Sequence, residues 1–187
     1  MSDSSDLAGF SSSIDDPAPK QLVVPRPVAL PRVGIGLDVH ALAAGRRLVL
    51  GGVEIPHDAG LAGHSDGDAL VHAIIDALLG AAGRGDIGQW FPSSDPRWAG
   101  ADSLEMLRTV VYALVRDGWQ IGNVDATVIA QRPRIGPHVP AMRERLAAVL
   151  GIPVESASVK ATTTDHLGAL GRAEGIAAQA VALLVRT

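Results

Sequence analysis

From Ala69 onward, apolar residues recur at helical spacing. Leu70, Val71, Ile74, Ile75 and Leu78 cover one face, which predicts a helix ending near the glycines at 80 and 83. His72 falls off that face, onto a polar stripe with Asp68 and Asp76 four residues to either side, within side-chain reach. Ser65 or Asp66 is expected to cap the first turn. A second amphipathic helix is predicted over about 103–117, with Leu104, Leu107, Val111, Leu114 and Val115 inward, Asp102 or Ser103 capping it and Gly118 stopping it. A third spans about 138–150 and ends at Gly151 and Pro153. Alternation with a period of two predicts strands over 32–40, 119–130 and 156–161, and a short one over 47–50 before Gly51-Gly52. The last stretch, 176–185, is mostly apolar and reads as a strand buried on both faces. Residues 1–30 are rich in Ser and Asp, then interrupted by Pro17, Pro19, Pro25 and Pro27. They read as a flexible tail, leaving one domain over 31–187.

Composition narrows the classes. The chain has 187 residues, 47% hydrophobic and 19% charged, which suits one globular domain with a real core. Aromatics are only 3%, so Val, Leu, Ile and Ala must build that core. A formal net charge of -4 argues against a nucleic-acid or membrane-surface partner, whose footprint is basic. There is no cysteine, so any zinc must be held by nitrogen and oxygen, as catalytic sites often hold it. No run is long enough to span a membrane, and the N-terminus lacks the basic start and apolar run of a signal peptide. A cytoplasmic protein is expected.

Candidate chemistry sits at a few points. Asp38 and His40 are two apart on a predicted strand and project from one face, which gives a carboxylate and an imidazole on a rigid element; a chance pair at a strand end is the plainer alternative. With His72 they make a set of two imidazoles and one carboxylate, and three protein ligands leave a fourth zinc position open to substrate. Gly85 and Gly88 flank Asp86 in a loop where backbone could approach a small polyol, or simply turn. Arg132 and Arg134 in a Pro-ruled loop suit phosphate contact or a solvated charge pair. Thr162-Thr163-Thr164-Asp165 at a strand end suits a phosphate and its magnesium, although Thr is also a good strand former. His57 and Asp58 read as solvated loop residues.

In ordered combination the motifs resemble a known family, the 2-C-methyl-D-erythritol 2,4-cyclodiphosphate synthases of the non-mevalonate isoprenoid pathway. The residues carrying the likeness are Gly34-x-Gly36-x-Asp38-Val39-His40, Gly51-Gly52-Val53, His64-Ser65-Asp66-Gly67-Asp68 with His72, and Gly85-Asp86-Ile87-Gly88 with Phe91-Pro92 and Asp95. Further on come Gly122-Asn123-Val124-Asp125, Gln131-x-Pro133, Val159-Lys160-Ala161-Thr162-Thr163-Thr164 and Gly171-Arg172-x-Glu174-Gly175. The resemblance implies an enzyme, a lyase that closes 4-diphosphocytidyl-2-C-methyl-D-erythritol 2-phosphate to the cyclic diphosphate and releases CMP. It implies an α+β fold, with a mixed sheet and helices on one side, in a homotrimer whose sheets pack around the three-fold axis and whose active sites lie between subunits.

The resemblance also implies residue roles. Asp38, His40 and His72 would bind zinc, and Asp165, where the family often has Glu, a second divalent ion (magnesium or manganese) bridging the diphosphate. His64 and Thr163 would be catalytic, at the reacting phosphates. Ser65, the Asp86-Ile87-Gly88 turn and the loop Phe91, Pro92, Ser93, Ser94 and Asp95 would hold the methylerythritol part, and Asp38, Val39, His40 and His64 would also contact the substrate. Ala130, Gln131, Arg132, Pro133, Arg134, Ile135 and Gly136, with Thr162, Thr163, Thr164 and Asp165, would form the cytidine and phosphate pocket. Arg172 would face a cavity on the trimer axis, where the family's aromatic-Thr pair is replaced by Ala169-Leu170.

Overall fold

A computed structural model describes residues 30–186. The proposed tail, apart from Leu30, lies outside the described residues. A five-stranded sheet has the order β4-β1-β7-β5-β6, where β1 is Arg32–Ala44, β4 Ala59–Leu61, β5 Trp119–Ile129, β6 Ala157–Thr162 and β7 Gly175–Arg186. Strands β1, β7 and β5 run antiparallel in turn, whereas β5 and β6 pair in parallel, so the sheet is mixed. A two-stranded hairpin, β2 (Leu48–Leu50) and β3 (Val53–Ile55), turns at Gly51-Gly52. Three long helices complete the core: α1 (Ala69–Ala82), α3 (Ser103–Arg116) and α4 (Val139–Leu150); α2 (Ile87–Trp90) and α5 (Gly168–Gly171) are single turns. This is the expected α+β arrangement, and the long helices lie close to those predicted; β1 runs on to Ala44, and β3 and β4 are not predicted by the spacing.

The helix α1 departs from its predicted amphipathic form. All its residues but Asp76 and Gly80 are buried, His72 included. It is enclosed by β1, β7 and α3 rather than lying on the surface. A helix buried all round has no solvent stripe, so its polar residues must be satisfied inside. The N-cap is Asp68, not Ser65 or Asp66: its Oδ1 accepts from the Val71 N–H at 3.0 Å. The same carboxylate accepts from Gly51 N (2.9 Å) and Gly52 N (2.7 Å), tying the hairpin turn to the helix start. Asp68 therefore does not hold the His72 ring, as the spacing suggested. His57 is also less exposed than expected, paired with Asp58 at 3.2 Å.

The approach of β1 to α1 depends on two glycines. A Cβ on Gly34 would lie 2.0 Å from Ala77 O, and one on Gly36 2.0 Å from Ala73 O. Backbone meets backbone there, and Ala73 and Ala77 leave room for it. On the opposite face of β1, Val33, Ile35, Leu37 and Val39 stand 56–66% exposed, and Val181 of β7 is 40% exposed beside them. β7 is thus buried on both faces only from Gly175 to Ala178 and then alternates. Among the described residues, helices cover only one face of the sheet.

Gly36→Ala forces a methyl into a backbone carbonyl that cannot rotate away. It is expected to cost at least about 2 kcal/mol, a fall of at least roughly 4 °C in Tm. A melting curve within about a degree of wild type would show that β1 and α1 can separate freely.

Candidate active site

The β1–α1 contact brings three ligand atoms together. Asp38 Oδ2 lies 2.8 Å from His40 Nε2 and 3.0 Å from His72 Nδ1, and the two ring nitrogens are 3.3 Å apart. All three lie close enough together that the cluster could hold a metal ion. Ligand atoms around a tetrahedral zinc with bonds of about 2.0–2.1 Å sit about 3.3 Å apart. The site therefore fits a small divalent ion after the carboxylate moves by a few tenths of an ångström. His40 is oriented by its other nitrogen: Nδ1 is 2.5 Å from the carbonyl oxygen of Ala62, which can only accept. Nδ1 must carry the proton, so in the neutral ring the Nε2 lone pair points at Asp38 and the metal position.

Electrostatics match. Burial by itself would push the Asp38 carboxyl up, but hydrogen bonds from His40 and His72, together with their charges, outweigh it and hold it well below the usual carboxylate range. The hydrogen bond to Asp38 raises His40 above its ordinary 6.5, against a smaller opposing effect of burial. In the metal-free protein, the Asp38 contribution to stability is complete above 3.8 and is lost as pH falls through its lowered pKa. The His40 contribution is complete below 6.5 and is lost as pH rises through its raised pKa.

A loop fixes the mouth. Arg46 donates to Gly63 O (3.3 Å) and Ser65 O (3.2 Å), and Gly100 N donates to His64 O at 2.7 Å. Together with the ligands, His64, Ser65, Ile87, Gly88, Phe91, Ser93, Trp98 and Met106 line a cleft of about 280 Å³. Asp86 caps α2, accepting from Gln89 N at 2.9 Å. Asp76, one turn beyond His72, accepts from Ile87 N at 2.7 Å and so anchors that turn to α1. Phe91 is buried edge-on against Trp98, with ring centroids 4.8 Å apart. Asp95 pairs with Arg97 at 2.6 Å, and Val39 turns its side chain to the open face of the sheet.

A second cleft, about 350 Å³, is lined by Ala130, Gln131, Pro133, Arg134, Ile135, Gly136, Thr162 and Thr163, with Pro137 and Ala161. Ala130 N donates to Thr162 O at 3.0 Å, which joins its two walls. It shares no lining residue with the first. Asp165 stands outside the triad with φ 54°, its N–H bonded to Thr163 Oγ1 at 3.1 Å. Arg172 lines neither cleft and pairs with Glu174 at 2.6 Å. Most of the expected residues thus line one cleft or the other, while Val39, Asp86, Pro92, Ser94, Asp95, Arg132, Thr164, Asp165 and Arg172 line neither.

The YgbB family profile matches residues 31–185. The chain belongs to that family. A 2-C-methyl-D-erythritol 2,4-cyclodiphosphate synthase of Symbiobacterium thermophilum is 60% identical over 152 residues, 81% of this chain and 97% of the relative. Among solved structures, the IspF–CDP complex of Plasmodium falciparum superposes with a TM-score of 0.76 at 34% identity, covering 86% of this chain and 99% of that one. The bifunctional IspDF of Campylobacter jejuni gives a TM-score of 0.81 at 41% identity over 89% of this chain but 45% of its own length. Within the YgbB frame, Ser103, Trp98 and Met106 are neighbours of the site that periodicity did not single out. Ser103 reads as a cap and the other two carry no reading; only tertiary packing puts Trp98 and Met106 at the cleft and Ser103 against His72.

Metal and proton compete for His40 Nε2. Zinc affinity is expected to weaken by about tenfold per pH unit once pH drops below the raised His40 pKa. Chelator competition across a pH series reads this slope. A flat profile there would remove His40 from the ligand set.

Proposed function

We infer that this protein is a 2-C-methyl-D-erythritol 2,4-cyclodiphosphate synthase, acting in isoprenoid precursor formation. The observation that carries the reading is the convergence of Asp38, His40 and His72 at a cleft in a chain 60% identical to a curated synthase. The substrate's 2-phosphate oxygen forms a bond to the β-phosphorus, and the bond from that phosphorus to the bridging oxygen breaks. CMP departs with the electron pair. An ionised phosphate needs no strong base, which agrees with a site that offers binding groups rather than an activated nucleophile.

The obstacle is anion approaching anion. Zinc on the triad and magnesium or manganese at Asp165, when bound, supply positive charge against the phosphoryl oxygens. The chain's own groups do the rest. His64 at the mouth of the first cleft and Thr163 at the second are the proposed donors to the reacting phosphates. The Asp86–Gly88 turn, held by Asp76, would orient the polyol, with Ser65 and the Phe91–Asp95 loop closing over it. Ala130–Gly136 and Thr162–Thr164 would take the cytidine and its phosphates in the second cleft; the CDP complex of the Plasmodium relative supports a cytidine nucleotide as the kind of ligand. Holding both ends of one flexible molecule can contribute roughly 7–11 kcal/mol of barrier lowering.

We assign the working form to a homotrimer with active sites between subunits. Two features support this: the separate clefts, and the exposed row of Val33, Ile35, Leu37 and Val39 on an uncovered sheet face. A row of large apolar side chains on a sheet marks a contact surface. Arg172 would then lie near the axis. No described helix is long and apolar enough to cross a membrane.

Phosphorus NMR of the product from the diphosphocytidyl substrate is expected to show a cyclic diphosphate and CMP, and His40→Ala is expected to abolish turnover without altering assembly. Free inorganic phosphate instead would indicate a hydrolase built on the same ligands. Leu37→Asp is expected to yield monomers by sedimentation that still bind zinc but turn over at background rate. Full activity from a monomer would exclude a site completed by a neighbour.

A further inference from the structure

One wall of the second cleft ends in a turn whose conformation its residues do not all favour. The Leu167 N–H donates to Thr164 O at 3.0 Å, closing a four-residue turn, and Thr164 Oγ1 donates to Leu167 O at 2.7 Å. The two central residues, Asp165 and His166, stand at φ 54° and 66°. Positive φ at both central positions is the mark of a type I′ turn, for which Asn-Gly or Asp-Gly is the usual pair. Asp165 suits its place, but His166 stands where glycine is preferred and is strained. Both are exposed, so burial does not hold them. Two contacts do. Gly171 of α5 comes so close that a Cβ on it would lie 2.2 Å from the His166 carbonyl carbon. From the facing loop, Gln131 Oε1 accepts from the His166 N–H at 3.2 Å.

We infer that Gln131 is a positioning residue: its side chain latches this turn to the facing loop, and through the turn it aims the Thr163 hydroxyl into the second cleft. A backbone N–H only donates, so the amide must present its oxygen to His166, with its nitrogen toward the His166 ring at 3.5 Å. Gln131 lines the cleft, yet its polar end is engaged by the turn rather than left for a ligand. Next to His166, the Asp165 N–H donates to Thr163 Oγ1 at 3.1 Å. That bond occupies a lone pair of the hydroxyl, and the hydroxyl proton has no acceptor among the described residues. The proton is therefore free to donate to an anionic oxygen in the cleft that Thr163 lines. The Ala130 N–H bond to Thr162 O pins the wall one residue before Thr163, and Gln131 pins it three residues after. Without the amide oxygen, His166 can relax toward negative φ, which draws the Asp165 N–H away from Thr163. A ligand confined to the cytidine end does not sense that change, whereas one whose phosphates reach Thr163 does.

The inference rests on the reading that the second cleft takes a cytidine diphosphate group, and the experiment separates the two. Gln131→Met keeps the length of the side chain without its amide, whereas Gln131→Glu keeps an acceptor oxygen. In the ligand-free protein, the His166 amide is expected to exchange its hydrogen about three- to tenfold faster in Gln131→Met and at close to the wild-type rate in Gln131→Glu. CDP titrated into Gln131→Met is expected to bind about three- to tenfold more weakly, with cytidine within about twofold of wild type. Thr163→Val is expected to weaken CDP as well. Adding Gln131→Met to it is expected to change CDP affinity by less than about twofold, because both act through one hydroxyl. A side chain that merely stabilises the fold would lower Tm and leave the ratio of CDP to cytidine affinity unchanged. Wild-type exchange at His166 in Gln131→Met, or an equal loss for cytidine and CDP, overturns the inference and leaves the nucleotide placement standing. No CDP binding by the wild-type protein, or no loss in Thr163→Val, refutes that placement and the inference with it.

Discussion

The contact between the β1 backbone and α1 is the constraint on which the site depends. Gly34 and Gly36 let the strand approach the carbonyls of Ala77 and Ala73. Two and four residues past Gly36, on the same strand face, come Asp38 and His40, and one residue before Ala73 comes His72. Any larger residue at the glycines would lift the strand and carry two ligands away from the third. A metal site tolerates little of that, since bonds of about 2 Å fix the ligand atoms to a few tenths of an ångström. The small-residue packing and the ligand geometry are therefore one feature seen at two levels.

Around that contact, hydrogen bonds settle directions that packing alone leaves open. Asp68 couples the start of α1 to the β2–β3 turn, and burial raises its carboxyl pKa despite three backbone donors. Burying a carboxylate this deeply costs stability unless it is well satisfied. Its position suggests the reason it is retained: it fixes where α1 begins, and hence the height of His72. Asp76 extends the same helix's control to the Asp86–Gly88 turn. A chain with net charge -4 must receive a substrate carrying several phosphates. The clefts do so with imidazoles, hydroxyls and backbone donors, and with positions for cations, rather than with a basic surface.

Much of this was legible in the sequence because strand and helix periodicities are local. The Asp38–His40 face, the long helices and the strand leading to the Thr run follow from spacing, whereas the parallel pairing of that strand with β5 does not. What spacing could not supply is which side of a helix meets protein instead of water. The polar residues of α1 read as a solvated stripe, yet they are interior groups with partners far away in the chain. His72 is held by Asp38, Ser65 and Ser103, not by the carboxylates one turn away. The cap position likewise went to Asp68 because the Gly51 and Gly52 donors also claim it, a tertiary demand that a local reading omits. The division of the expected site into two clefts has the same origin: motif order shows that residues belong together, but not that one chain fails to join them.

X-ray absorption at the zinc edge of the zinc-loaded protein tests the central claim most directly, because it counts the ligands that the β1–α1 contact is said to assemble. The account predicts a four-coordinate nitrogen and oxygen shell at about 2.0–2.1 Å, with outer-shell scattering from two imidazoles that falls to one in His72→Ala. A six-coordinate shell, or one lacking imidazole scattering altogether, would contradict it.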